Sequence, residues 1–239
     1  MTEQSMNVKM LLMPKHSLST IVRSGLRSPK LVFRFLTGKD PSGFDLKEIE
    51  KISGRPNLIL EAGAFNGVDT ASMARMWPDA IIYAFEPIPE LYIQALKETK
   101  SYAQINLLPL ALVNTDQSEV EINTFSALDK PHGSSSILPP TLHLEVAPDV
   151  VFDRAIRVPA IRLDTWYQAI EGQTVDLLWL DLQGAELEVL KSGLNCLKNT
   201  RTLHIEVSLK PLYLGAPTFR EIDEFLNQAG FNLVKSRIP

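Results

Sequence analysis

The stretch NLILEAGAFNG (57–67) decides the fold of this chain, because an apolar run passes directly into a glycine-containing turn. The run 57–62 has the length and composition of a strand buried on both faces. Gly63 and Gly67 permit a tight turn after it and a close approach of a ligand to the backbone. Helical character follows up to Pro78, which ends the helix. The stretch therefore predicts a strand, a turn and a helix in succession.

The same alternation continues outward along the chain. Two further apolar strands, within AIIYAFEP (80–87) and VDLLWLDLQGAE (175–186), each end in an acidic residue. Helical stretches are interleaved with them, which is typical of a mainly parallel sheet covered on both faces. We predict a doubly wound α/β fold, in which ligands bind beyond the carboxyl ends of the strands.

Three other regions complete the expected fold. A third strand with its exit loop is predicted at 103–114, an alternating half-buried strand at 118–125 and a long loop at 126–150. After Gly230 only FNLVKSRIP remains, which is enough for one strand.

The charge of the chain is unevenly distributed. The 239 residues contain 24 Lys and Arg against 28 Asp and Glu, for a net charge of −4. Residues 1–39 hold seven basic residues and one acid, whereas residues 40–239 hold 17 basic residues and 27 acids. The pattern predicts a basic arm at 1–42 and an acidic domain at 43–239. The acidic domain argues against a broad nucleic-acid groove, and the globular composition excludes a disordered chain.

The basic arm is expected to be helical. Its segment 18–36 alternates basic and apolar residues, so it either packs on the domain and covers a pocket or lies on an anionic membrane surface. The sequence has no apolar run long enough for a membrane span and no secretory signal pattern, so we expect a cytoplasmic protein, or a peripheral one at a membrane surface. The lone cysteine, Cys196, allows no internal disulfide, and the oligomeric state is left open.

Three clusters of residues follow the predicted strands and indicate a ligand site. The turn at 61–67 lacks the second glycine of GxGxxG, which disfavours a pyrophosphate cradle for NAD. Glu86 lies 19 residues beyond Gly67, where a carboxylate accepts both hydrogen bonds of a ribose diol in doubly wound folds. Asp181 ends a central strand, where an acid could hold an amino group, a substrate hydroxyl or a metal ion.

Taken together, these stretches resemble the FkbM-type family of S-adenosylmethionine-dependent methyltransferases. That family has D-x-G-A-N-x-G after one strand, F-E-P after a second, and D-x-E-G-A-E-x-x-V-L-K later in the chain. The counterparts here are EAGAFNG (61–67), FEP (85–87) and DLQGAELEVLK (181–191), with GSSSI (133–137) and RLDTW (162–166) as supporting similarities. Two departures are Glu61 in place of Asp and Gln183 in place of a common Glu.

The resemblance implies a class I, Rossmann-like methyltransferase with S-adenosylmethionine as its cofactor. Methyltransferases of this class usually finish with an antiparallel strand pair, whereas the residues after Gly230 suffice for one strand, so the final strand is absent, supplied elsewhere or lost at the end of the chain. The methionine part of the cofactor would contact Glu61, Gly63, Ala64, Asn66 and Gly67. The ribose would contact Glu86 and Pro87, and the adenine would lie near Ala111 and Leu112. Ser136 of the serine-rich stretch and Asp181 complete the expected cofactor-binding residues, with Asp181 near the transferred methyl group.

The acceptor implied by the resemblance is a hydroxyl on a saccharide, a glycolipid or a secondary metabolite. A hydroxyl nucleophile needs a nearby base, for which Asp181, Glu206 and His204 are the first candidates and Glu186 and His132 the next. A divalent metal between Asp181 and Glu206 is an alternative way to orient hydroxyls. Two other functions stay open, namely a nucleotide-dependent oxidoreductase and a non-catalytic domain that binds a cofactor or a partner.

Overall fold

A seven-stranded, mainly parallel sheet forms the centre of the molecule. The structure is a computed structural model that describes residues 7–14, 46–127, 130–131, 133–146 and 151–237. The strands are β1 (Asn7–Pro14), β2 (Leu58–Ala62), β3 (Ile81–Phe85), β4 (Ile105–Leu108), β5 (Ala111–Val113), β6 (Glu119–Ala127), β7 (Lys130–Pro131), β8 (Val151–Arg162), β9 (Val175–Leu180), β10 (Thr200–Ser208) and β11 (Phe231–Arg237). The helices are α1 (Leu46–Ser53), α2 (Val68–Met76), α3 (Pro89–Thr99), α4 (His143–Val146), α5 (Leu163–Ala169), α6 (Glu186–Ser192), α7 (Leu194–Lys198) and α8 (Phe219–Gln228).

The strand order of the large sheet is β11-β1-β10-β9-β2-β3-β4. The pairs from β10 to β4 are all parallel, which places the carboxyl ends of β2, β3, β4 and β9 at one edge. Every residue of β2 and of β9 is buried, as the apolar sequences of these two strands predict. The predicted doubly wound α/β fold is confirmed.

Helices cover both faces of this sheet, each over its own apolar cluster. On one face, alternate strand residues such as Leu60 and Leu180 pack with Trp166, Leu190 and Leu226 from the later helices. On the other face, Ile59 and Trp179 pack with Ile49 and Met73 from α1 and α2. Since side chains alternate between the faces of a strand, a nearly unbroken apolar run is what a doubly covered strand requires.

The N-terminal end of the chain supplies the antiparallel strand that the sequence after Gly230 lacks. Strand β1 runs antiparallel to both neighbours, pairing Lys9 with Glu206 of β10 and with Arg237 of β11. The expectation of a helical arm was therefore wrong for Asn7–Pro14, which are part of the sheet. The remainder of the arm, including 18–36, lies outside the described residues. The division of the chain at residue 42 stays a prediction.

The region predicted as one third strand is in fact two strands in different sheets. Strand β4 pairs with β3 in the large sheet, whereas β5 pairs with β8 in a second sheet of order β5-β8-β6-β7. Pro109 separates the two strands, and a proline cannot donate a ladder hydrogen bond. The second sheet packs through Ile122 and Val158 against Leu91 of α3, so it extends the molecule on the side of the predicted ribose site.

Candidate functional site

Backbone hydrogen bonds hold the loops after four parallel strands against one another. The N–H groups of Gly63 and Ala64 both donate to the carbonyl of Phe85, at 3.1 and 2.9 Å. The N–H of Asp181 donates to Ala62 at 3.0 Å, and that of Glu86 donates to Leu108 at 3.0 Å. The structure therefore brings the EAGAFNG, FEP and DLQGAE motifs together at one edge of the sheet.

The turn after β2 depends on two glycines with left-handed backbones. Gly63 has φ 93°, and a Cβ at this position would lie 2.0 Å from the carbonyl oxygen of Asp181. Gly67 has φ 83°, and a Cβ there would lie 2.8 Å from Cα of Ala95 in α3. Between them, Asn66 accepts a hydrogen bond from the N–H of Val68 at 3.2 Å and closes the turn into α2. Ala64 packs in the apolar cluster beneath that helix.

Glu86 presents a buried carboxylate at the end of β3. The residue is 4% exposed, and its two oxygens accept hydrogen bonds from the N–H groups of Phe65 (2.8 Å) and Ile88 (2.9 Å). Burial raises the pKa of this carboxyl to about 8, against the opposing effect of the two N–H donors. A carboxylate has about four acceptor positions, so two N–H donors leave capacity for further donors such as hydroxyls. Pro87, the next residue, is half-buried.

Glu61 lies beneath the start of α2. It is 1% exposed and accepts a hydrogen bond of 2.6 Å from the hydroxyl of Thr70. The pKa of the Glu61 carboxyl is raised to about 8, mainly by burial and to a smaller extent by the charges of Asp69 and Glu86. The sequence analysis did not single out Thr70, which lies nine positions after Glu61 in the next helix.

Asp181 lies in a small hydrogen-bonded cluster with residues from two loops. Its carboxylate accepts a hydrogen bond of 2.7 Å from the side-chain amide of Gln183. The hydroxyl of Ser136 donates to the backbone carbonyl of Gln183 at 2.8 Å, so the serine-rich stretch contacts the DLQGAE turn. Ser136 is itself 3% exposed, which places it under the turn as a support. Tyr213, which the sequence did not single out, reaches Gln183 from a third loop at 3.3 Å.

A small pocket opens between the turn after β9 and the carboxyl end of β10. It is lined by both polar and apolar residues, namely Gln183, Gly184, Glu186, Glu206, Val207, Ser208, Tyr213 and Pro217. Glu186 accepts hydrogen bonds from the N–H groups of Leu182 (2.8 Å) and Gly184 (3.2 Å), which closes the turn. The pKa of Glu186 is raised to about 7, mainly by burial and to a smaller extent by the charge of Glu206. Glu206 is the half-buried acid of this pocket.

The other candidate residues lie farther from this edge or deeper in the molecule. His204 is 1% exposed in the middle of β10, where its ring stacks on Trp179 with centroids 3.8 Å apart. Ala111 and Leu112 are buried in β5, just beyond the end of β4. His132 lies outside the described residues. His204 is thus buried against Trp179, whereas Glu206, two positions later on the same strand, is half-buried at the pocket.

Two kinds of feature are missing from the described residues. No group of three or more His, Cys, Asp or Glu side chains within them is arranged to hold a metal ion. In the same part of the chain, none of the helices combines the length and apolar character needed to cross a membrane.

Comparison with known proteins gives two matches that agree with this geometry. The curated 2-O-methyltransferase NoeI of Sinorhizobium fredii (strain NBRC 101917 / NGR234) is 28% identical over 184 residues, which cover 75% of each chain. The family model described as the methyltransferase FkbM domain matches residues 61–233. That range begins at Glu61, includes Glu86 and the whole DLQGAE turn, and covers well over half of the sequence. The chain therefore belongs to the FkbM methyltransferase family, as its motifs and its parallel sheet indicate.

Proposed function

We propose that this protein transfers a methyl group from S-adenosylmethionine to a hydroxyl oxygen of a small polyhydroxylated acceptor. The acceptor classes that we propose are saccharides, glycolipids and secondary metabolites. The observation that carries the proposal is the buried Glu86 carboxylate, held by two backbone N–H groups beside the Gly63 turn. The name of the relative NoeI supports the oxygen as the atom that is methylated.

The residues at the sheet edge fit the cofactor. S-adenosylmethionine, when bound, supplies an electrophilic methyl group on a sulfonium cation. Glu86 would accept the ribose hydroxyls, and backbone at Gly63 and Ala64 would contact the methionine part. The Glu61 and Glu86 carboxyls are both buried. Among the described residues, no positively charged side chain lowers the pKa of either carboxyl. A site of this kind suits a ligand that is a hydroxyl donor and carries positive charge.

The acceptor would bind between Asp181 and the pocket beside Glu206. Methyl transfer is an in-line displacement, so much of its rate depends on holding the oxygen and the methyl carbon aligned. Either acid could accept the hydroxyl proton as the oxygen attacks. Because His204 is buried and its ring stacks on Trp179, we assign no proton transfer to it.

The central test is turnover with a methyl-labelled cofactor. Purified protein is incubated with labelled S-adenosylmethionine and a panel of saccharides, glycolipids and hydroxylated metabolites, and the products are read by mass spectrometry. We expect at least one acceptor to gain one labelled methyl group. Tight binding of NAD with no binding of S-adenosylmethionine would favour the oxidoreductase alternative. Cofactor binding without turnover across the panel would favour a non-catalytic domain.

A variant of Glu86 tests the ribose assignment. We expect Glu86→Ala to weaken S-adenosylmethionine binding about tenfold or more, because the acceptor of the ribose hydroxyl hydrogen bonds is lost. Calorimetric titration measures the affinity, and Glu98→Ala, which removes an exposed carboxylate from α3, is the matched control. Equal affinities in the two variants would show that Glu86 does not hold the ribose.

A further inference from the structure

The Gln183 backbone has an unusual conformation for its residue type. Its φ is 51°, in the left-handed region that non-glycine residues rarely adopt. Such strain persists only where the surroundings hold it, and it concentrates at functional sites. Here the Ser136 hydroxyl holds the Gln183 carbonyl at 2.8 Å. The next residue, Gly184, has φ 100°, and a Cβ there would lie 3.0 Å from Cβ of Ala216.

The strained turn aims the Gln183 side chain between two polar groups. Its amide Nε2 donates to Oδ1 of Asp181 at 2.7 Å, and its Oε1 accepts from the hydroxyl of Tyr213 at 3.3 Å. Tyr213 is 1% exposed, and its hydroxyl also donates to the carbonyl of Ser134 at 2.6 Å. The single hydroxyl proton is thus directed mainly to Ser134, which fixes the tyrosine ring, and the longer contact with Oε1 is the weaker branch of a shared hydrogen bond.

This arrangement requires an amide at position 183. Only the NH₂ group of the side chain donates to a carboxylate, whereas a glutamate would place an acceptor oxygen against another acceptor at 2.7 Å. A hydrogen bond to an ionised acceptor is about twice as strong as one between neutral groups, so it restricts the carboxylate rotamer. The departure from the common glutamate of the resembled motif therefore has a structural consequence at Asp181.

We propose that Gln183 is a positioning residue, which orients the Asp181 carboxylate toward the acceptor hydroxyl during methyl transfer. The inference rests on the proposed function, because it assumes that Asp181 acts at the transferred methyl group. Gln183 also lines the pocket beside Glu206, but the role proposed here does not require it to contact either reactant. It acts through the rotamer of Asp181, and Tyr213 and Ser136 hold Gln183 in place.

Two substitutions remove the amide in different ways. Gln183→Glu keeps the length and shape of the side chain but replaces the donor with an acceptor. Gln183→Gly removes the side chain and at the same time relieves the left-handed backbone strain, so this variant is expected to melt no lower than the wild type. Gln168→Glu, an exposed position on α5, is the control for the added charge.

We expect both Gln183 variants to lose about tenfold or more in kcat, while KM for the cofactor and for the acceptor changes less than about threefold. A merely structural role predicts instead that activity follows the melting temperature. Values of kcat within twofold of the wild type in both variants would overturn the proposal.

A crystal structure of ligand-free Gln183→Gly provides a readout that does not depend on activity. The Asp181 carboxylate is expected to adopt another rotamer, or several, once its amide partner is gone. An Asp181 side chain that keeps its wild-type orientation would overturn the positioning role by itself. Absence of methyl transfer by the wild-type protein, with Asp181 reoriented in the variant, would instead overturn the proposed function and show that the amide only orders the turn.

Discussion

Gly63 shows how closely the ends of two strands approach each other at the candidate site. The carbonyl of Asp181, after β9, occupies the space where a side chain at position 63 would begin. The same glycine has a left-handed φ of 93°, so it is constrained by its backbone and by its neighbour at once. These two constraints can be separated by experiment, because Gly230 has φ 94° and a Cβ added there would meet nothing within 4 Å.

We therefore expect Gly63→Ala to destabilise the protein more than Gly230→Ala does. The left-handed backbone alone costs about 1–2 kcal/mol for alanine, and this cost is common to both variants. Gly63→Ala must also displace the Asp181 carbonyl, which disturbs the turn that would contact the methionine part of the cofactor. Chemical denaturation measures the stabilities, and calorimetry with S-adenosylmethionine measures the affinities. Equal losses in the two variants would show that the contact with Asp181 relaxes without cost.

Also at the scale of single residues, the sequence predicted which residues follow the strands, but not which side chains they contact. Glu61, Glu86 and Asp181 are where the strand–turn patterns placed them. The hydroxyl of Thr70 beneath Glu61 and the Tyr213–Gln183 contact were not foreseen, because they join residues 9 and 30 positions apart across different elements. Local patterns carry no information on such pairings.

At the scale of secondary-structure elements, the position of β1 in the large sheet matters most for the candidate site. It lies between β10 and β11, so its backbone forms hydrogen bonds along both edges. Strand β10 carries Glu206, which pairs in register with Lys9. A segment near the N-terminus thus supports the strand that contributes an acid to the candidate acceptor pocket.

Substitution of Met10 by proline tests this dependence on the backbone. Met10 pairs with Ile205 on one side and with Ser236 on the other, so a proline there removes a ladder donor whichever way the N–H points. We expect a loss of about 1–3 kcal/mol in the free energy of unfolding, from the acceptor left unsatisfied. Met10→Val, which keeps the donor and favours strands, is the control. Equal stability of the two variants in urea denaturation would argue against β1 as a paired central strand.

The alternation of elements was predictable from 57 to 208, because apolar runs and turn residues are local signals. The pairing of β1 was not, since its partners lie about 190 to 230 residues away and the basic residues around it suggested a separate arm. Strand β5 shows the same limit: its residues continue the apolar run of β4, yet they pair with β8 in the second sheet.

At the scale of the whole molecule, three buried carboxyl groups link stability to pH. Burial raises the pKa of Glu61 and of Glu86 to about 8 and that of Glu186 to about 7, from an ordinary value of 4.5. Between about pH 4.5 and 8, the folded chain therefore binds more protons at these sites than the unfolded chain does. Since stability falls with rising pH wherever the folded state binds more protons, the ligand-free protein should become less stable across this range.

We expect the melting temperature of the ligand-free protein to fall steadily from pH 5 to pH 8. Glu61→Gln should reduce this slope, because an amide oxygen still accepts the Thr70 hydrogen bond but carries no charge to bury. Glu98→Gln, on the exposed side of α3, should leave the slope unchanged. Thermal denaturation in a series of buffers at constant ionic strength makes the measurement. A melting temperature that is flat or rising over this range would contradict the raised pKa values.

The sequence by itself determined that this chain forms a doubly wound sheet and that acids and glycines gather at its carboxyl edge. Both conclusions follow from local chemistry, since apolar runs must be buried and only glycine takes left-handed turns without strain. The tertiary structure alone decided that β1 completes the sheet, that His204 stacks inside it, and that Gln183 turns its amide onto Asp181. These features depend on contacts between distant segments, which form only when the whole chain packs.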